Sequence, residues 1–412
     1  MKKTCLFEWV LAASLAWFVA SGCKPKEALR PDLDLVKRQA LEERARKGEL
    51  EAQLELSMML ATATTITNHA AESIRWLRLA ADGGHNPARF LIAKKLETGE
   101  GMPANLEQAA AYFQKGAEDG HAGCARALGS MYRRGMGVTP DLSLAVKWIQ
   151  TAAEKNDIEA QYDLGTLYQK GEGLPRDPSA AAAWFRKASD RHHAEASFAL
   201  GEALIQGDGV DVNLEEAAKV LRAAAEQGVV GAQYRIASLF DQGKGVGTDF
   251  LQAASFYKKA AEQGHVEAQS GMGLAYINGH GVAQDFGEAA KWLRKAAEKG
   301  EMEAQFRMGQ LHASGQGLPQ NYEEAMAWYR KAAERNHPGA QLGLGSLYLS
   351  GQNGGAADPV EAAKWLDLAS LSGNADAATV RKFAAELLTP EQEEEVARKK
   401  QEFLATIKSR NP

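Results

Sequence analysis

Histidine, cysteine and closely spaced glycine are the residues here that could bind a metal, attack a carbonyl or cradle a phosphate. The chain carries nine histidines and three cysteines among 412 residues. Five of the histidines, His85, His121, His193, His265 and His337, stand 36 or 72 residues apart. A shared metal needs its ligands about 2 Å from one ion, whereas equivalent turn positions in successive repeats lie a whole repeat apart. His192 is no more than a surface neighbour of His193. Gly-x-Gly recurs at Gly99/Gly101, Gly135/Gly137, Gly171/Gly173, Gly207/Gly209, Gly243/Gly245, Gly279/Gly281 and Gly315/Gly317. A phosphate loop follows a strand and occurs once; a motif returning between helical stretches is a connector. No local cluster supplies Ser-His-Asp or paired carboxylates, so no catalytic residue, cofactor or metal ligand is assigned.

Cysteine points to a different chemistry. Cys23 follows Ala20-Ser21-Gly22, which resembles the bacterial lipobox, where cleavage before the cysteine leaves a lipid-modified thioether at the new N-terminus. Ala20 stands where leucine is usual. Upstream, Lys2 and Lys3 precede an apolar stretch over residues 9–20, too short to cross a bilayer as a helix and suited to an export signal. Residues 1–22 are therefore expected to be a signal peptide, and 23–31 a lipidated N-terminus and linker. Each buried methylene contributes about 0.8 kcal/mol, so several acyl chains would anchor the protein stably. The plainer alternative is an ordinary small-residue cleavage site beside an incidental cysteine. Cys5 leaves with the signal, and Cys124 occupies an alanine column, the place of a small buried core residue.

The elements that must position these residues are legible from a period. A helix-start signature begins at Ala52, Ala88, Cys124, Ala160, Ala196, Ala232, Ala268, Ala304 and Ala340, every 36 residues. Counting that residue as zero, apolar residues fall at 0, +4, +7 and +8, the stripe of an amphipathic helix. Glycine at +5 (Gly129, Gly165, Gly201, Gly273, Gly309, Gly345) predicts a close helix crossing, and glycine at +11 predicts the helix end. Asn105, Asp141, Asp177, Asn213, Asp249, Asp285, Asn321 and Asp358 form an N-cap column for a second helix. That helix is expected to bury alanine at +21 and +28 and an aromatic near +24, the column of Trp76, Tyr112, Trp148, Trp184, Val220, Phe256, Trp292, Trp328 and, after a one-residue insertion, Trp365. A fixed period of this size predicts an all-α solenoid of about nine 36-residue helix-turn-helix repeats over residues 49–375. Capping helices are expected at 32–48 and 376–412, the last opening at Thr389-Pro390-Glu391-Gln392 and presenting Val396, Phe403, Leu404 and Ile407 on one side.

These residues resemble the Sel-one-like repeat, a relative of the tetratricopeptide repeat. The shared marks are Ala160-Gln161-Tyr162-Asp163-Leu164-Gly165, the Gly-x-Gly loop, the Ala-Ala-x-Trp run and the Glu-x-Gly-His end. The resemblance implies antiparallel helix pairs wound into a right-handed superhelix with first helices lining its concave side, and an adaptor role in protein complexes. One exported branch of the family carries a disulfide in each repeat; this chain lacks those cysteine pairs, so packing alone must stabilise it.

By the same analogy, first-helix positions +2, +6, +9 and +10 face the groove. Arg126, Arg133, Arg134 and Lys170 stand there, flanked by Tyr162, and Phe90, Phe198, Tyr234 and Phe306 occupy other +2 positions. A cationic patch beside aromatics suits an acidic peptide or an anionic polymer; the alternative is a solvated face with packing aromatics. The net charge of −5 argues against nucleic acid, which wants a basic face. The expected function is a non-catalytic, membrane-tethered scaffold for a protein or peptide of the cell envelope. Lys24 after the proposed lipid site favours the outer membrane, facing the periplasm. The rivals are an envelope hydrolase and a cell-wall or glycan binder. Nothing in the sequence decides the oligomeric state.

Overall fold

Helix starts and stops fall where the capping residues put them. The computed structural model describes residues 33–62, 69–352 and 356–410. The proposed signal peptide, Cys23 and the linker lie outside the described residues, as do Ala63 and Thr65 of the first repeat. Among the described residues there are 21 helices and no strand. Helix α1 (Leu33–Arg46) precedes a series of helix pairs: α2 (Leu50–Thr62) with α3 (His69–Asp82), α4 (Asn86–Thr98) with α5 (Leu106–Glu118), and α6 (Ala122–Arg134) with α7 (Leu142–Glu154). Next come α8 (Ile158–Lys170) with α9 (Pro178–Ser189), α10 (Ala194–Gln206) with α11 (Leu214–Glu226), and α12 (Val230–Gln242) with α13 (Phe250–Glu262). The series continues through α14 (Val266–Asn278) with α15 (Phe286–Glu298), α16 (Met302–Ser314) with α17 (Tyr322–Ala333), and α18 (Pro338–Ser350) with α19 (Pro359–Leu371). It closes with α20 (Ala377–Ala385) and α21 (Pro390–Arg410). Contacts divide the chain into two compact units, up to Ala160 and from Gln161 onward.

The predicted N-caps all form. Asn105, Asp141, Asp177, Asn213, Asp249, Asp285, Asn321 and Asp358 each accept the backbone N–H three residues on, at 2.9–3.0 Å, satisfying a donor the helix itself leaves open. From the second copy onward, first helices end on glycines with φ between +65° and +78°. Thr389 and Gln392 make a reciprocal capping box at 2.9 and 3.3 Å.

Two glycine columns set the packing distances. A Cβ on Gly165 would lie 2.6 Å from the Phe185 ring, and one on Gly129 2.7 Å from Ile149, so the +5 glycine lets the two helices of a hairpin cross closely. The second loop glycine works between hairpins: a Cβ on Gly281 (φ +71°) would run into the carbonyl of Phe250, the first residue of the preceding hairpin's second helix. The first repeat substitutes a polar pair for the +5 contact, Ser73 Oγ donating to the Ser57 carbonyl at 2.7 Å.

One expectation is corrected. Positions +21 and +28 are buried as predicted, alanine except for Ser73 and Gly116, but the core aromatic or aliphatic residue stands at +25: Phe113, Ile149, Phe185, Leu221, Tyr257, Leu293, Tyr329 and, after a one-residue insertion, Leu366 are all buried. The +24 column is buried only at Phe256, Trp328 and Trp365; Trp76, Tyr112, Trp148, Trp184 and Trp292 are half-buried. Positions +21, +25 and +28 follow the i, i+4, i+7 spacing of one helix face, which leaves +24 on its flank. There a lysine at +27 lies over the ring, with Lys187 3.6 Å from the Trp184 centroid and Lys295 4.1 Å from that of Trp292.

The terminal helices cover the ends of the two units. Leu41 and Ala45 of α1 are buried against Leu56 and Leu60. In α21, Val396 is buried, Phe403 meets Trp365 edge-on at 5.1 Å, and Lys399 and Lys400 reach Glu361 and Asp367 of α19 at 2.8 and 3.0 Å.

Candidate binding surface

The histidine column acquires its role from helix geometry. His85, His121, His193, His265 and His337 are the N-cap residues of the following first helices, and each accepts the N–H three residues on through Nδ1, at 3.1–3.4 Å. Asp157 and Glu301 do the same in their copies. Nδ1 must be unprotonated to accept, so the neutral imidazole carries its proton on Nε2. In His85 and His337 that nitrogen lies 2.8 and 3.0 Å from Glu51 and Glu303. Burial holds His121 and His265 below the ordinary imidazole range. Among the described residues no group of three His, Cys, Asp or Glu could hold a metal ion. Cys124 is buried, and desolvation pushes its thiol up to about 12.

The +2 residues meet this same column. Tyr162 stacks on His193 with centroids 4.8 Å apart, Tyr234 on His265 at 4.7 Å and Phe306 on His337 at 4.5 Å, while Phe90 tilts against His121 at 5.8 Å. Where the cap is Asp157, position +2 is Arg126, and the two form an ion pair at 3.1 Å. Arg126 and Tyr162 thus connect each first helix to the cap of the next.

The other candidates stand elsewhere. Arg133 and Arg134 end α6, the former half-buried and the latter exposed. Lys170 ends α8 and is exposed. Arg126, Arg133 and Arg134 belong to the first unit, Tyr162 and Lys170 to the second.

A further structural role was not anticipated. Gln233, Gln269, Gln305 and Gln341 at +1 donate through Nε2 to Ala225, Ala261, Ala297 and Ala333, carbonyls in the last turn of the preceding second helix, at 3.1–3.2 Å. Gln53 does the same to Ala45 at 3.0 Å, and Arg89 substitutes its Nε at 3.1 Å to Ala81. These carbonyls are among those that a helix leaves without partners. A signal for the capping role was present in the histidine column: apart from Val229, its members are His, Asp or Glu, which share the ability to accept an N–H.

A model of the Sel1 repeat matches nine times, over residues 50–85, 87–121, 122–157, 158–193, 194–229, 230–265, 266–301, 303–337 and 338–374. The chain belongs to the Sel1 repeat family. Sel1 repeat proteins are in general non-catalytic interaction scaffolds, and repeat solenoids of this kind bind protein partners. The chain is similar to a Sel1 repeat protein from Oxalobacter formigenes, with 31% identity, a TM-score of 0.53, and 75% of this chain and 89% of that one covered. It is also similar to a protective antigen present in uropathogenic Escherichia coli strains that displays this repeat fold, with 28% identity, a TM-score of 0.52, and 89% and 94% covered. No curated protein matches the chain.

Proposed function

We propose that this Sel1 repeat chain is a non-catalytic scaffold, exported and tethered to a bacterial membrane through a lipid on Cys23, that holds an envelope protein or peptide on the face formed by its first helices. The observation that carries the reading is the use to which the repeat puts its reactive residue types. Histidines cap helices, glycines permit close approach and the +1 glutamines bond to helix-end carbonyls. What varies from copy to copy is the exposed part of the first helices, where Arg134 and Lys170 offer cations for an acidic partner. Arg133 completes the candidate set, whereas Arg126 and Tyr162 are engaged with the caps Asp157 and His193. Lys24 after the lipid site favours the outer membrane, with the repeats facing the periplasm.

Three experiments test the reading. Cys23→Ala should move the protein from the membrane fraction to the soluble one; unchanged partitioning contradicts the anchor. Arg133→Glu with Arg134→Glu, folded by circular dichroism, should weaken co-purification of the native partner. Equal recovery would remove this face from the account. Hydrolase turnover by purified residues 24–412 would contradict the non-catalytic role.

A further inference from the structure

The second-helix layer carries a groove that recurs in the same register in two copies. In copy seven it has a volume of about 500 Å³ and is lined by Lys291, Arg294, Lys295, Glu298 and Leu318. In copy one the equivalent space, about 490 Å³, lies between α3 and the loop after α4, with Ile74, Arg75, Arg78, Leu79, Met102 and Pro103 on its walls. The groove is therefore a product of the hairpin stacking, and its chemistry is set by what fills each column. At +27 the other copies include Lys115, Lys187, Lys259, Lys295 and Lys331; copy one has Leu79, which is 45% exposed. No lysine at +27 covers Trp76, as Lys295 covers Trp292.

Charge around this apolar floor is predominantly positive, with two arginines against one carboxylate. Arg75 and Arg78 are exposed and, among the described residues, neither has a carboxylate partner. The acid on the wall, Asp82, accepts the Tyr112 hydroxyl at 2.7 Å. A second space of about 280 Å³ shares Arg78 and Asp82 and adds Lys115, extending the surface along the layer. Two arginines beside an exposed apolar floor, with Lys115 in the adjoining space, suit a chain segment rather than a compact small molecule, and arginine with apolar side chains is the composition of interface hot spots.

We propose that this groove docks a partner polypeptide through a bulky apolar side chain flanked by carboxylates: the apolar group lies on Ile74, Leu79 and Met102, and the acids meet Arg75 and Arg78. The inference deepens the scaffold reading and rests on it, but places this partner on the second-helix layer of copies one and two.

A random-peptide display library panned on the immobilised full chain tests it. The expected winners carry an aromatic or aliphatic residue between acids. They should bind roughly tenfold or more weakly to Leu79→Lys and to Arg75→Glu with Arg78→Glu, and undiminished to Arg294→Glu. Leu79→Lys installs the residue that five other copies hold at this position, so an unchanged melting curve separates lost docking from lost folding. Winners without acids, winners indifferent to these substitutions, or no enrichment would overturn the proposal. So would binding of anionic phospholipid vesicles that depends on Arg75 and Arg78, which would assign the surface to a membrane. Loss of binding on Arg133→Glu with Arg134→Glu alone would instead locate the winners on the first-helix face, overturning the groove while sparing the scaffold reading.

Discussion

At the scale of residues, five copies join the +2 side chain to the next N-cap: Phe90, Tyr162, Tyr234 and Phe306 lie against His121, His193, His265 and His337, and Arg126 pairs with Asp157. The histidine version makes stability depend on pH. His121 and His265 have folded-state pKa values lowered from 6.5 by burial, so the folded chain binds fewer protons than the unfolded one as acid is added. Their contribution is present above pH 6.5 and is lost as pH falls below it, because a protonated Nδ1 cannot accept the cap bond. A lost N-cap costs about 1 kcal/mol. Melting temperature should therefore drop between pH 7.5 and 5.5, and His121→Asp with His265→Asp should flatten that slope; an unchanged slope contradicts the assignment. The core correction gives a second test. Phe185→Ala should cost about 3–5 kcal/mol, and Trp184→Ala, half-buried under Lys187, roughly half of that, read from denaturation midpoints.

At the scale of elements, helix starts and ends were legible because capping depends on residue type within four positions of the chain. Asp249 or Gly243 announces its helix boundary without knowledge of anything distant. The +24 tryptophans misled for the opposite reason. Hydrophobic character marks a column as apolar, but whether it sits at the centre or the flank of the buried face depends on how the neighbouring helix crosses. Gly165 opposite Phe185 records that crossing. The +1 glutamines escaped because their acceptors, carbonyls eight residues back, belong to another helix. Hairpin stacking predicts unequal glycines. Gly281→Ala drives a Cβ into the Phe250 backbone, whereas a Cβ added at Gly228, also at positive φ, would meet nothing within 4 Å. Gly228→Ala should cost about 1–2 kcal/mol for the left-handed backbone alone, and Gly281→Ala clearly more, measured by chemical denaturation. Equal losses would mean the hairpins do not pack through this loop.

At the scale of the whole molecule, the period of 36 residues made the architecture readable because each copy repeats the same few contacts, and a repeat array needs only neighbour interactions for stability. The partner was not readable in the same way. In the proposed reading, exposed first-helix positions such as Arg134 and Lys170 answer to something outside the chain, and no internal periodicity constrains them. Arg126 and Tyr162 shared the sequence signature of that exposed set, and only their contacts with Asp157 and His193 show that they join caps. The most direct test of the scaffold account is crosslinking mass spectrometry of the full chain in its native cells, compared with an abundant protein of similar size from the same cell fraction. The account predicts a specific protein enriched in crosslinks to the repeats, reduced by Arg133→Glu with Arg134→Glu. Crosslinks no more frequent or selective than those of the comparison protein would contradict it.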